Sequence, residues 1–489
     1  MDNFLNYSKK TGEWGEVVEI VPPLLKVAGL PKAKMNELIQ FENQHLGQVI
    51  GLNKSSIDVL SLSEHSIKVG EKVMRLDKNL TIGVGDDLLG QVINPLGLAY
   101  FEAENTGEIK EERPIEIPVG SIQERARIDK TLLTGVSIID LAIPLGKGQK
   151  ELIIGDRTTG KTSFILTTIK NQALQGTIIV YAMIGKKKTD ARKLIDYFSK
   201  EKILDKSVIV VSCGDDPVGS SYLAPFSAMT ISEYFKDKGK DVLLILDDLT
   251  THAKLYREIS LVEGKFPGRE SYPADIIYLY ARLLERAGSF KQANGTASTI
   301  TCLPITESVE GDMTGFISTN IMGITDGHIF FDSDLYNQGR RPAINIQLSV
   351  TRVGKQTQAK LSREIAQEIL AFLTQHEKIK NYSHFGTELS AKVKKDIKKG
   401  DQLLAFFDQT YEFIVPHEIQ ILLFALIWLD FFMEKDDEYI LKARDTFTKL
   451  YTENKRFTTL LDKALSVDSI YKLLSIVFGM KTDIEKYVQ

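Results

Sequence analysis

The rhythm of hydrophobic and polar positions changes twice along the chain. In roughly residues 13–75 the apolar runs are short, at 16–21, 46–50 and 56–60, and are punctuated by Pro22-Pro23, Gly29 and Gly51. Short β-rich runs between turn formers predict a small β-barrel. From about Asp77 the rhythm becomes one of continuous apolar runs, at 152–154, 178–181, 208–211, 242–246 and 300–303, alternating with helical stretches. Fully apolar strands separated by helices predict a parallel sheet covered on both faces. Beyond about Thr357 the strand signals fade, and helical periodicity takes over at 361–376, 417–433 and 436–455. The expected class is α/β, with boundaries at 1–76 for an N-terminal β-barrel, 77–357 for a central domain built on that sheet and 358–489 for a C-terminal helical bundle.

Composition narrows this picture. With 489 residues, 43% hydrophobic and 26% charged, the chain has ample material for several ordinary globular domains. A net charge of −4 argues against a nucleic-acid binder, which needs a basic surface to displace counterions. The start, residues 1–10, is polar and has no apolar segment of the signal-peptide kind. The greasiest stretch, 421–429, ends at Asp430 and is far short of a membrane span, so a buried helix is expected and any membrane link runs through partners. Cys213 and Cys302 lie far apart without metal-ligand spacing, which suits free thiols in a reducing compartment.

The chemistry concentrates after the apolar run 151–155. There the chain reads GDRTTGKT, that is Gly155, Asp156, Arg157, Thr158, Thr159, Gly160, Lys161 and Thr162, followed by a helical pattern from 163 to 174. This is GxxxxGK[ST] between a strand and a helix, the context that gives the motif its meaning. Glycines let backbone N–H groups approach phosphate oxygens, and a helix N-terminus adds a favourable field. Lys161 would reach the β- and γ-phosphates, and the Thr162 hydroxyl would ligate Mg²⁺ directly. A Mg²⁺ site also needs a carboxylate at a neighbouring strand end. The run 242–246 followed by Asp247-Asp248 supplies it, with Asp247 acting through water. The bland alternative is an acidic turn.

Beyond the loop, the chain carries PGRESYPADIIYLYARLLERA at 267–287, TNIMGITDGHIF at 319–330 and RRPAINIQLSVTRVG at 340–354. With GKGQKELII at 146–154 and the phosphate loop, these segments resemble the alpha subunit of F-type ATP synthases over nearly the whole chain. The resemblance implies a RecA-like P-loop core that binds ATP or ADP with Mg²⁺. It implies a ring of three alpha-type and three catalytic beta-type subunits around a gamma-type shaft. In a synthase, a delta or peripheral stalk and a membrane rotor would be further partners. The complex would then be cytoplasmic and peripheral on the inner face of the cell membrane. Arg352, in SVTRVG, matches the arginine that reaches into the beta site and stabilises the transferring phosphate. A guanidinium suits that task because it is always charged and grips oxygens bidentately. Arg341, Pro342 and Gln409 match adenine-pocket positions, and 387–390 falls where the family has its shaft-contacting lever.

The same resemblance separates alpha from beta. Catalytic beta subunits carry a glutamate straight after a glycine at the end of the strand following the phosphate-loop helix, and it polarises the attacking water. Here Gly185 is followed by Lys186, Lys187 and Lys188. These lysines read either as a solvated turn or as charges holding nucleotide in place, and either reading removes the base. The chain departs from the alpha pattern as well. Thr158 and Lys186 stand where glutamine is usual, Gly323 stands where serine is usual, and Tyr411 replaces a second adenine-side glutamine. The barrel begins near Glu13, which leaves little of the helix that grips the peripheral stalk. Three readings follow: a synthase alpha subunit, an alpha-like subunit of a specialised motor not coupled to ion translocation, and a related ring-shaped RNA or export ATPase.

Overall fold

The computed structural model describes residues 13–62, 67–101, 111–118, 120–383, 390–410 and 413–488. The lever positions 387–389, Tyr411 and the start at 1–10 lie outside the described residues. Two compact units emerge, one of Met1–Ala126, Gly176–Thr306 and Thr314–Ile324, the other of Arg127–Gln175, Glu307–Met313 and Thr325–Gln489.

The first unit opens with a closed six-stranded barrel: β1 (Trp14–Val21), β2 (Leu24–Ala28), β3 (Glu37–Phe41), β4 (Leu46–Leu52), β5 (Ile57–Ser61) and β6 (Lys72–Asn79). They are hydrogen-bonded in the order β1-β2-β5-β4-β3-β6, and β6 returns antiparallel to β1. Closure removes the sheet edges, so no strand is left as a template for stray pairing. Alternation sends Val17, Val27, Ile39, Phe41, Val49, Val59 and Val73 inward, all fully buried. Each such side chain contributes about 1.5–3 kcal/mol relative to exposure. Gly47 lies between β3 and β5 because a Cβ there would meet Val59 at 2.5 Å. Of these strands, β2, β3 and β6 are weak in the sequence. The β6 run KVMRLDKN is half charged, and its buried Arg75 becomes acceptable through carboxylates, Glu37 accepting from its Nε at 3.0 Å and Glu13 from its Nη1 at 3.3 Å.

The same unit carries a parallel sheet in the order Val92–Ile93, Ser207–Cys213, Ile178–Lys186, Val242–Asp247 and Ala297–Glu307, with Gly288–Lys291 antiparallel on the last. The strands Ser207–Cys213 and Val242–Asp247 are buried almost throughout, as continuous apolar runs require when helices cover both faces. Cys213 and Cys302 are buried thiols on this sheet, in no disulfide.

In the second unit the strand Glu151–Gly155 runs parallel to Gly327–Phe331, which pairs antiparallel with Val350–Thr351. From Lys360 onward all regular structure among the described residues is helical: Lys360–Ser383, Ala391–Phe407, His417–Trp428, Asp437–Glu453, Lys455–Leu465, Ile470–Gly479 and Lys481–Val488. The helix His417–Trp428 has every residue from 419 to 427 buried, so its all-round apolar face is a core helix. Among the described residues no helix is long and apolar enough to cross a membrane. The expected helix 436–455 stops at Glu453 because Asn454 leaves the helical region and caps the next helix, accepting from Arg456 N and Phe457 N. The expected helix 417–433 ends at Trp428, and Asp430 then takes a left-handed φ of 58°. A β-barrel, an α/β core and a helical C-terminal region are thus the observed architecture.

Candidate functional site: phosphate loop, strand-end carboxylates and the exposed arginine

The loop 155–162 leaves a fully buried strand and enters the helix Lys161–Leu174. Gly155 approaches the neighbouring strand so closely that a Cβ would meet the Phe331 carbonyl oxygen at 2.4 Å. Gly160 precedes the helix with φ of 99°, a conformation glycine adopts freely, and no side chain caps the N–H groups behind it. Those open N–H groups are what an anion would meet. Thr162 is exposed in the first turn. Lys161 Nζ folds over the loop and donates to the Gly155 and Asp156 carbonyl oxygens at 2.6 and 2.5 Å.

The remaining loop residues are held by protein. Asp156 accepts from Ser308 Oγ at 2.6 Å, Ser333 Oγ at 2.6 Å and Gly311 N at 2.9 Å. Burial opposes its ionisation, but those hydrogen bonds and the Lys161 charge outweigh it, so its carboxyl ionises below the usual range. Asp156 is therefore an anchor that fixes the loop. Arg157 lies against Glu307, with Nε 3.0 Å from both carboxylate oxygens. The Thr159 hydroxyl donates to Asp156 O at 2.8 Å. Thr158 sits at φ of 66°, uncommon for a β-branched residue, and its hydroxyl donates to Arg157 O at 2.5 Å.

The strand-end carboxylates have a different environment. The parallel register sets Met183 opposite Asp247, so the ends of Ile178–Lys186 and Val242–Asp247 coincide. Gly185 takes φ of 63°, where a Cβ would strike Thr251 Cγ2 at 2.7 Å, and the register with Ser207–Cys213 slips between Ile184 and Lys186. At this bulge Lys186 reaches the carboxylates, with Nζ 3.0 Å from Asp247 Oδ1 and 2.5 Å from Asp248 Oδ2. Tyr181 OH donates to the other Asp247 oxygen at 2.7 Å. Asp248 also caps the following helix, accepting from Thr251 N at 2.6 Å. Burial alone would lower the Lys186 ammonium's pKa, but Asp247 and Asp248 outweigh it and raise it.

For Lys186 this corrects the reading as a solvated turn. Lys186 is only 25% exposed and is committed to two carboxylates, so it is no solvated turn. Lys188 opens the next helix and pairs with Asp215 at 2.7 Å. The sequence shows a lysine ending one strand and an aspartate doublet ending another, and strand register makes them neighbours.

Arg352 is exposed and follows the short strand Val350–Thr351; its N–H donates to Asp326 O at 3.1 Å. The approach is tight on both sides. A Cβ on Gly327 would meet Val350 O at 2.1 Å, and one on Gly354 would meet Pro144 O at 1.7 Å. These two glycines fix the backbone from which the arginine projects. Behind it, burial pushes the Glu151 carboxyl well above the usual carboxylate range.

Arg341 and Pro342, joined by a cis peptide bond, line a cavity of about 460 Å³ together with Ile138, Phe407 and Asp408. That volume suits a small ligand. The Arg341 guanidinium donates to Tyr336 O at 2.9 Å and lies 3.6 Å over the Tyr336 ring. Gln409 is brought to the same segment, its N–H donating to Arg341 O at 2.6 Å. Its side chain, however, is taken up internally. Its amide donates to Gly135 O at 2.7 Å and Phe413 O at 2.6 Å, and its oxygen accepts from Ser137 N at 3.1 Å.

A buried strand, a glycine loop and a helix with open N–H groups define a P-loop nucleotide-binding protein. Comparison with known proteins makes this specific. Residues 135–351 match the nucleotide-binding domain of the ATP synthase alpha/beta family, and residues 358–476 match the C-terminal domain of the ATP synthase alpha/beta chain. The chain is 38% identical over 430 residues to ATP synthase subunit alpha of Clostridium acetobutylicum, covering 87% of this chain and 84% of that relative. It is 39% identical over 403 residues to ATP synthase subunit alpha of Clostridium botulinum strain Alaska E43, covering 82% and 79%. The chain belongs to the ATP synthase alpha-subunit family.

Proposed function

We propose that this chain is the nucleotide-holding, non-catalytic alpha-type subunit of an F-type rotary ATPase, alternating with beta-type subunits and lending Arg352 to its neighbour's site. The observation that carries this reading is Lys186. Where a catalytic subunit keeps a carboxylate to polarise water, this chain has an ammonium locked between Asp247 and Asp248. A cation so placed accepts no proton, whereas the phosphate loop keeps its lysine, glycines and open helix N-terminus. The chain therefore holds ATP or ADP, and turnover belongs to the partner. The exposure of Arg352, on a backbone pinned by Gly327 and Gly354, supports a role in a neighbouring subunit. Arg341 and Pro342 are the adenine-side residues, with Gln409 positioning them through the Arg341 carbonyl.

For Mg²⁺ the residues divide. Thr162, exposed in the first turn, fits as a direct ligand. Asp247 fits poorly as the water-holding carboxylate, since the Lys186 ammonium 3.0 Å from one of its oxygens repels a divalent cation.

The test is to purify the native complex through this chain and identify its companions by mass spectrometry. A beta-type chain and a shaft are expected. Membrane-rotor and stalk subunits alongside them indicate a synthase, and their replacement by unrelated proteins indicates a motor with another load. Recovery without any beta-type chain would overturn the proposal.

A further inference from the structure

We propose that the nucleotide held by this chain needs no tightly bound divalent cation, because Lys186 has taken the carboxylate that would hold the cation's water. The inference rests on reading 155–162 as the phosphate loop and Asp247 as the cation-side carboxylate.

Its geometry lies wholly on the strand ends. Asp247 is 13% exposed, and its two oxygens accept from Lys186 Nζ at 3.0 Å and Tyr181 OH at 2.7 Å. A hydrated divalent ion would need one of those oxygens facing its water, beside an ammonium that repels it. Lys186 has little freedom to leave. Its second contact, 2.5 Å to Asp248, neutralises a carboxylate only 1% exposed, whose other partners are Thr251 N and Thr251 Oγ1. Moving the ammonium away would strand a buried charge, which proteins avoid. The local backbone is built for this placement, because the Gly185 bulge aims position 186 and a Cβ on Gly185 would collide with Thr251. A built-in monovalent cation thus stands on the carboxylate where the family implies a divalent one. The phosphates are then neutralised by Lys161 and the open N–H groups of the helix Lys161–Leu174.

The test is equilibrium binding of a fluorescent ATP to the purified full chain, in excess Mg²⁺ and in excess EDTA. The two Kd values of the wild type are expected to agree within about threefold. Lys186→Gln, which installs the side chain usual at this position, is expected to bind more than about tenfold more weakly in EDTA than in Mg²⁺. Equal dependence on Mg²⁺ in wild type and variant would overturn the proposal. A second measurement needs no variant: wild-type chain loaded with ATP and Mn²⁺ is gel-filtered and assayed for both. Nucleotide retained with little Mn²⁺ supports the proposal, and Mn²⁺ retained in equal amount overturns it. Failure to bind nucleotide in either medium, with Lys161→Ala no different, would sink the phosphate-loop reading and this inference with it.

Discussion

Two stretches of this chain, the phosphate loop and the strand ends at Asp247 and Asp248, differ in what surrounds their charges. The phosphate loop keeps its machinery: a close-packed Gly155, a left-handed Gly160, a lysine folded over the loop and an anchor, Asp156, held by Ser308, Ser333 and Gly311. The strand ends keep their shape and change their charge. The aspartate doublet is there, but the residue after Gly185 is a lysine that pairs with both carboxylates. Binding and hydrolysis make separate demands. Holding a triphosphate takes N–H groups and positive charge, whereas splitting it takes a group that polarises water in the transition state. A chain that retains the first and cancels the second is suited to occupancy rather than turnover.

The sharpest way to break this comparison is Arg352→Ala. If hydrolysis belongs to the neighbour, nucleotide binding by this chain should be unchanged while steady-state turnover of the assembled complex drops about 10³–10⁵-fold. Full turnover in that complex would remove Arg352 from the account.

Acid probes the strand-end region through His252, in the helix that Asp248 caps. Burial lowers its pKa to about 4, and its ring bonds to Tyr280 OH and the Tyr222 carbonyl. The folded form thus binds the proton less readily than the unfolded chain. Stability should fall as pH drops from about 6.5 towards about 4, by an amount on the order of 3 kcal/mol at most. Chemical denaturation across that window should show a shallower loss in His252→Gln than in wild type. Parallel losses would assign the acid sensitivity elsewhere.

The phosphate loop is probed by Lys161→Ala, which removes charge-assisted bonds worth about 1.5–3 kcal/mol each. The chain's own ATP affinity should weaken about 10- to 100-fold by isothermal titration. Unchanged affinity would count against the loop. Gly323→Ser, at the family's usual serine, should have the smallest effect. Gly323 lies in the helix Phe316–Ile324 with nothing within 4 Å of an added Cβ, so a slight rise in thermal midpoint is expected from about 0.5 kcal/mol of helix propensity. A large fall in that midpoint would reveal packing that the glycine conceals.

Much of this was legible in the sequence, for reasons that differ by element. Continuous apolar runs announced the parallel strands because burial on both faces leaves few other choices, and the phosphate loop announced itself because its spacing has one main use. The strand β6 was hidden, since its one buried charge, Arg75, is paired with Glu37, 38 residues away, while Lys72, Asp77 and Lys78 face solvent. Asn454 ended a helix that periodicity alone carried through it. The pairing of Lys186 with Asp247 and Asp248 depended on strand register, which local spacing does not encode. Gln409 lies against Arg341, its N–H donating to the Arg341 carbonyl, but the saturation of its side chain by Gly135, Ser137 and Phe413 is a tertiary fact.

The central claim, a site that holds nucleotide without spending it, is tested most directly by loading the purified full chain with γ-labelled ATP and identifying the bound nucleotide over hours. The account predicts stoichiometric nucleotide recovered as intact ATP. Steady release of labelled phosphate by the chain alone would contradict it.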